Sequence, residues 1–362
     1  MSQQWRKKFH HHHQPEASLL HCADLILPWL TPVELANVSL TCKILNQLAK
    51  SLTLHRSLDV SRSLETFPIR FHNLVDHHPY AFFMYTPSQV LPSSPSKNIP
   101  RQSWGLTCNS LSRIGPKSVT GSPGCDAGVP DLGSSARLVN LVDEAGEAVS
   151  GCRCRKCEEV DDNGGFGCPC RGLEGMGIVT ECGPSCGCGL ECGNRMSQRG
   201  ISVRLKIVRD GRKGWSLYAD QPIQQGEFVC EYAGELVTTE EARRRQEAYD
   251  KFASAGRFSS ALLVVREHLP SGKACLRINI DATRVGNVAR FINHSCDGGN
   301  LSTALIRSTG ILLPRLCFFA SKNIKQDEEL TFSYGDIRMR ANGLQCFCSS
   351  SCCFGVLPSE DT

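Results

Sequence analysis

No stretch of this sequence stays apolar long enough to cross a bilayer. The longest apolar segments, such as ILLPRLCFFA at 311–320, are interrupted by Pro or Arg and fall far short of the ~20 residues that a membrane helix needs. The opening MSQQWRKKFHHHHQ lacks the apolar core of about 7–15 residues that marks a secretory signal. A chain kept inside the cell, without membrane contact, is therefore expected, with His10 to His13 in a solvated tail. A strong charge of one sign is also missing: 40 Lys and Arg face 36 Asp and Glu, a formal +4. No G-x-G-x-x-G follows a strand pattern, which removes the signature of a dinucleotide-type α/β fold. No repeat with a period of about 20–50 residues points to a solenoid.

Cysteine is abundant instead, at 21 residues. A reducing compartment rules out a disulfide framework, and an odd count could not pair fully, so most of these thiols read as metal ligands. Nine of them form one block: Cys152, Cys154, Cys157, Cys168, Cys170, Cys182, Cys186, Cys188 and Cys192. Four-coordinate zinc leaves two solutions. Either three bridging thiolates let the nine hold three ions, or two mononuclear sites leave one cysteine spare. The block is otherwise Gly, Pro and charge, so metal must stand in for a core. A second group, Cys346, Cys348, Cys352 and Cys353, offers three good ligands. Cys352 and Cys353 are adjacent and can share one ion only with an awkward backbone, so a distant residue is expected to supply the fourth. Loading both groups brings net charges of about −3 and −2, turning the formal +4 to about −1 and removing whole-chain basicity as an argument for nucleic-acid binding. Arg153, Arg155, Lys156 and Arg171 are expected to offset the cluster's charge.

Within LTPVELANVSLTCKILNQLAK at 30–50, Thr31 and Glu34 form a capping box around Pro32. Leu35, Val38, Cys42, Leu45 and Leu48 then give one helical stripe. Residues 86–149 hold 25 Gly, Pro and Ser among 64 positions and read as an irregular insertion. After 201 the pattern turns to short strands: Val203, Leu205 and Ile207 alternate before the Asp210-Gly211 turn, and Leu276, Ile278 and Ile280 alternate before Asp281. One helix interrupts them, TTEEARRRQEAYDKF at 238–252, with Thr238 and Glu241 as a second capping box and Arg243 to Arg245 as a solvated face. The second half should be mostly β with few helices.

GRKGWSLYA at 211–219, EYAGE at 231–235, NVARFINHSC at 287–296 and EELTFSYGD at 328–336, beside the nine-cysteine block, resemble the SET-domain lysine methyltransferases of the suppressor-of-variegation class, nearest the plant "related" subgroup. DVSRSLETFPIRFHNLVDHHPYAFFMY at 59–85 resembles the lead-in to their pre-SET modules. The resemblance implies a SET fold of small curved sheets with knot-like C-terminal threading, flanked by zinc-organised pre-SET and post-SET modules and a small α-helical N-terminal unit. It divides the chain into a tail at 1–17, a helical segment at 18–57, a pre-SET module at 59–200 with a flexible insertion at 86–149, a SET domain at 201–336 and a post-SET module at 342–358. The implied reaction is transfer of a methyl group from S-adenosyl-L-methionine to a histone-tail lysine, in chromatin silencing within the nucleus.

By the same resemblance Tyr334 is the catalytic hydroxyl, and Phe332 lines the substrate channel where Phe favours more than one methyl. Lys213, Gly214, Trp215, Asn293 and His294 contact the cofactor. Cys296 is assigned as the missing ligand of Cys346, Cys348 and Cys353, giving one zinc there beside three in the nine-cysteine cluster. Roughly one lysine in 2,500 is neutral at pH 7, so the site must lower the amine's pKa and aim its lone pair. Two departures stand out. Ser216 replaces the second glycine of Gly-Trp-Gly, and FSSALLVV at 258–265 lacks a second active-site Tyr near Ser260 or Ala261. The expected partners are the histone tail and chromatin, with no sequence-specific nucleic-acid binding. LPWLTPVELANVSLTCKILNQLA at 27–49 resembles an F-box, which implies a ubiquitin-ligase adaptor as a further partner if Leu35, Val38 and Leu45 are exposed. A catalytically weak chromatin-binding module and an F-box-type ligase subunit are the alternatives.

Overall fold

A computed structural model of the chain describes residues 22–23, 25–91, 149–155, 157, 168–171, 179–253, 260–268, 275–335 and 344–358. The expected tail at 1–17, His10 to His13, Lys156 and most of the 86–149 insertion lie outside the described residues, and no helix among those described is long and apolar enough to cross a membrane.

The N-terminal helical stripe folds as two helices, α1 (Pro32–Ser39) and α2 (Lys43–Leu58). Thr31 and Glu34 close both halves of the capping box, with Glu34 Oε2 accepting the Thr31 N–H at 2.8 Å. The break follows from Ser39 and Thr41, whose hydroxyls turn back onto the carbonyls of Ala36 and Val38 and compete with the helix ladder. Cys42 therefore leaves the apolar stripe. It is exposed, and its Sγ caps α2 by accepting the Leu45 N–H. The stripe itself is turned inward: Leu35 is 2% exposed, and Val38, Leu45 and Leu48 pack on the main core. Arg56, fully buried, clamps this unit by donating to Leu30 O at 2.7 Å and to Tyr80 Oη at 2.9 Å.

The lead-in at 59–85 supplies two strands to sheets that its sequence neighbours do not build. β1 (Arg70–His72) and β2 (Met84–Tyr85) come from it, and β3 (Val179–Glu181) follows the cysteine block. β1 runs parallel to β4 (Leu205–Asp210), which pairs with β5 (Gly214–Ala219) through the expected Asp210 turn. β2 pairs with the long β9 (Cys275–Gly286), which also carries β7 (Gly234–Val237) and β8 (Leu262–His268). β9 runs on past Asp281, where the sequence pattern ended. That carboxylate is fully buried and takes Arg245 Nη1 at 2.7 Å and Tyr249 Oη at 2.8 Å.

Arg245 is therefore not part of a solvated face. It lies on α3 (Thr239–Ala253) and reaches inward to Glu235, Glu241 and Asp281, since buried carboxylates are costly without a cation. Arg244, 70% exposed, does face solvent. The second capping box is half formed: Thr238 Oγ1 accepts the Glu241 N–H, but the Glu241 carboxylate turns to Arg244 and Arg245.

β3 joins β11 (Leu301–Ser308), β12 (Arg315–Ala320) and β6 (Phe228–Glu231). Arg315, 4% exposed, pairs with Glu181 at 2.9 Å and Glu231 at 3.5 Å. Glu231 also accepts the Gln89 N–H and Glu181 the Ser197 N–H. This buried network fixes the cysteine module and the lead-in to the central strands. β10 (Asn293–His294) and β13 (Thr331–Phe332) close the fold as a short parallel pair.

Candidate active site

The β10–β13 pair brings the two motifs of the second half side by side. Asn293 stands opposite Thr331 and His294 opposite Phe332. The 295–300 loop wraps β13: Phe332 O accepts the Ser295 N–H at 2.9 Å and Thr331 O the Asn300 N–H at 3.1 Å. Gly299, at φ +74°, makes this possible, because a Cβ there would stand 2.3 Å from Thr331 O.

Asn293 Nδ2 donates to Ser216 Oγ at 2.7 Å and to Glu329 Oε1 at 2.9 Å. Lys213 Nζ meets the other Glu329 oxygen at 2.6 Å, with both side chains under a fifth exposed. With both amide hydrogens committed, Asn293 has its carbonyl oxygen left as an acceptor. The set therefore gathers an ammonium, a carboxylate and an amide acceptor, which suits the zwitterionic end of an amino-acid cofactor. Trp215 stands on this strand between Phe71, 5.1 Å away ring to ring, and Arg209, 5.2 Å over its face. Arg212 lies 5.7 Å from the Phe347 ring and ties the 210–213 turn to the C-terminal module.

Tyr334 Oη donates to Ile292 O at 2.8 Å, and the Tyr334 N–H is accepted by His294 Nδ1 at 3.1 Å. Burial holds this phenol well above its ordinary pKa, so it stays protonated at neutral pH. Its proton is spent on a backbone carbonyl, and its oxygen accepts from no donor among the described residues. Phe332 lies 4.9 Å from it, ring to ring, and packs in turn on Phe318. Where the second Tyr was missed, the Ala261 carbonyl accepts from Tyr232 Oη at 2.9 Å. Burial, with the neighbouring Tyr334 phenol, also raises the Tyr232 pKa. A different tyrosine from the EYAGE motif thus stands at that wall. Burial lowers the pKa of His294, whose Nε2 lies 3.2 Å from Cys296 Sγ.

The sulfurs of Cys296, Cys346, Cys348 and Cys353 lie within 4.8 Å of one another, and Cys352 stays exposed outside the set. In the nine-cysteine block, overlapping groups of four share Cys152, Cys157, Cys168 and Cys182. Sulfur separations there of 3.6–4.0 Å match the ~3.8 Å edge of a tetrahedron with metal–sulfur bonds of about 2.3 Å. Burial pushes the Cys152, Cys157 and Cys182 thiols up, a penalty that a bound cation reverses. Donors aimed at sulfur include the Asn194 N–H and side-chain amide, the Gly183 N–H and the Arg195 guanidinium, 3.6 Å from Cys188 Sγ. Arg195 is 5% exposed. Arg153 and Arg155 are exposed, and Lys156 and the Arg171 side chain lie outside the described residues; among those described, Arg195 is a buried cation beside the sulfurs.

Of the residues singled out in sequence, Asn293, His294, Phe332, Tyr334 and the set of Cys296, Cys346, Cys348 and Cys353 converge, and Lys213 joins through Glu329. Gly214, at φ +87°, shapes the turn before Trp215. Glu329, Ser216, Tyr232 and Arg195 were not recognised as site residues. Glu329, Ser216 and Tyr232 sit inside quoted motifs, but only the fold shows which way they point.

A SET-domain family model matches residues 214–335. The chain is 59% identical over 349 residues to the histone-lysine N-methyltransferase SUVR3 of Arabidopsis thaliana, covering 95% of this chain and 92% of that protein. It is 31% identical over 248 residues to the histone-lysine N-methyltransferase SUV39H2 of Xenopus tropicalis, covering 60% of this chain and 56% of that one. Among solved structures, KRYPTONITE in complex with mCHH DNA, an H3(1–15) peptide and SAH aligns with a TM-score of 0.55 at 25% identity, over 83% of this chain and 53% of that chain. Arabidopsis thaliana SUVH6 in complex with SAM aligns with a TM-score of 0.57 at 23% identity, over 83% and 55% of the two chains, and supports the fold.

Proposed function

The chain belongs to the SET-domain histone-lysine N-methyltransferases, and from that premise we propose that it transfers a methyl group from S-adenosylmethionine to the side-chain amine of a histone-tail lysine in nuclear chromatin. The observation that carries the reaction is the anchored Tyr334 hydroxyl, which donates to Ile292 O and leaves a lone pair free. When bound, the cofactor supplies an electrophilic methyl and a positive charge that lowers the amine's pKa. The rest is the work of this chain's side chains. Tyr334 accepts an N–H of the incoming amine and aims its lone pair along the line of attack. As a neutral phenol it orients the amine and does not remove the proton. Phe332, with no hydroxyl to hold a water or the amine, leaves room for more than one methyl. Asn293 and Lys213, both held by Glu329, hold the cofactor's amino-acid end. Gly214 and Trp215 border it.

The cysteine sets fit zinc, since four-sulfur groups in the nine-cysteine block and the set of Cys296, Cys346, Cys348 and Cys353 could each hold an ion; the loading proposed is three ions in the block, through shared thiolates, and one on the second set. With pre-SET at 59–200, SET at 201–336 and post-SET at 342–358, the Cys296 set would join SET to post-SET, and the Arg315–Glu181 pair joins SET to pre-SET. Adaptor docking through 18–57 needs Leu35, Val38 and Leu45 free, and their packing on the core argues against it.

The test is incubation of the zinc-loaded chain with labelled cofactor and purified histones, read by mass spectrometry. Label on a tail lysine is expected. Bound cofactor without any label on the histone would favour the silent chromatin-binding module.

A further inference from the structure

His294 belongs to a motif that implies cofactor contact, and each of its ring nitrogens has a partner within the chain. The residue is 4% exposed, and its two nitrogens face two different systems. Nδ1 accepts the Tyr334 N–H at 3.1 Å. Nε2 lies 3.2 Å from Cys296 Sγ, within the four-sulfur set completed by Cys346, Cys348 and Cys353. A ring nitrogen that accepts a backbone N–H carries no proton, so the neutral ring keeps its hydrogen on Nε2, aimed at the sulfur. One imidazole thus spans the distance from the sulfur set to the backbone of the residue that orients the substrate amine. Asn293, the preceding residue, faces the other way, toward Ser216 and Glu329.

We propose that His294 is a positioning residue that ties the Tyr334 backbone to the zinc-bound thiolate of Cys296, so that metal loading sets the place of the catalytic phenol. The proposal rests on the zinc and Tyr334 assignments above. Its physical basis is the general behaviour of hydrogen bonds to metal ligands, which fix ligand orientation and whose loss costs about 10–100-fold in metal affinity or activity. An N–H donated to a thiolate removes charge from the sulfur and holds its direction. The same rigid five-membered ring, with one carbon between its two nitrogens, then fixes the amide of Tyr334.

Two amide substitutions separate the halves in the full, metal-loaded chain. His294→Gln places an amide N–H near the Nε2 position and keeps the donor to Cys296, but gives Tyr334 no acceptor. His294→Asn places its oxygen near the Nδ1 position and keeps the acceptor, but does not reach the sulfur. Two readouts need no turnover: release of zinc to a chelator, with the phase missing from Cys296→Ser marking the site, and hydrogen exchange of the Tyr334 amide. The expected pattern is crossed. His294→Asn releases that zinc about 10-fold faster while Tyr334 stays protected, and His294→Gln holds zinc but exchanges the Tyr334 amide about 10-fold faster, with a matching fall in kcat at unchanged KM. Wild-type behaviour in both variants, or equal loss of both properties in both, overturns the proposal while leaving the zinc assignment intact. A full metal complement in Cys296→Ser overturns both.

Discussion

At the scale of single residues, the chemistry-bearing positions were legible where a motif names them, and their partners were not. Asn293, His294 and Tyr334 stand out in RFINHSC and FSY, but Glu329, which binds both Lys213 and Asn293, is one acidic residue among 36 Asp and Glu. Ser216 read as a mild departure from a glycine. In the fold it is fully buried and accepts from Asn293, so the departure supplies a contact that glycine lacks. Glu65 is a residue-scale case of another kind. It accepts from Tyr85 Oη at 2.6 Å and from the Ile201 N–H at 2.8 Å, and burial pushes its carboxyl up from 4.5 to about 7. The folded chain then holds a proton between those values that the unfolded chain has released, so the stability that Glu65 contributes is fully present below about pH 4.5 and is lost as pH rises to about 7. Denaturant titrations across that range should show a loss of about 2–3 kcal/mol, and Glu65→Gln should flatten it. A stability difference between wild type and Glu65→Gln that stays constant across that range would contradict this.

At the scale of elements, the periodic segments were the readable ones. The alternation at Leu205 and Ile207 became β4, and 238–252 became α3. Two boundaries failed for physical reasons: Ser39 and Thr41 broke the N-terminal stripe, and the Arg245 and Tyr249 contacts carried β9 past Asp281. The two-residue strands β10 and β13 had no signal of their own, because pairs this short have no period. They exist because Gly299 lets the 295–300 loop close on Thr331. Gly299→Ala should cost about 2–4 kcal/mol, combining positive-φ strain with a backbone collision, and should lower activity more than stability. Thermal unfolding and methyl transfer measured on the same sample check this; unchanged activity would separate β13 placement from catalysis.

At the scale of the whole molecule, the cysteine spacing led to the expectation that metal replaces a core between 152 and 192, and seven of the nine cysteines form a buried cluster with Cys154 and Cys186 half-buried against it. What spacing could not show is the path by which these modules reach the active site. That path runs through Arg315, Glu181 and Glu231 on one side and through Cys296 on the other, because it depends on strands distant in sequence. Metal analysis of the full chain should give four zinc ions, and Cys296→Ser should give three with activity abolished. Two or fewer in the wild type would contradict the shared-thiolate cluster.

The most direct measurement is the single-turnover rate of methyl transfer to a histone tail by the wild type and by Tyr334→Phe, with cofactor affinity measured in parallel. Loss of the oriented hydroxyl predicts a rate at least about 100-fold lower at unchanged cofactor affinity. It also predicts a wild-type rate that climbs with pH from 7 to 9 as the lysine amine deprotonates, with no fall from the phenol, whose pKa lies above that range. A Tyr334→Phe enzyme that transfers methyl at the wild-type rate would contradict the mechanism.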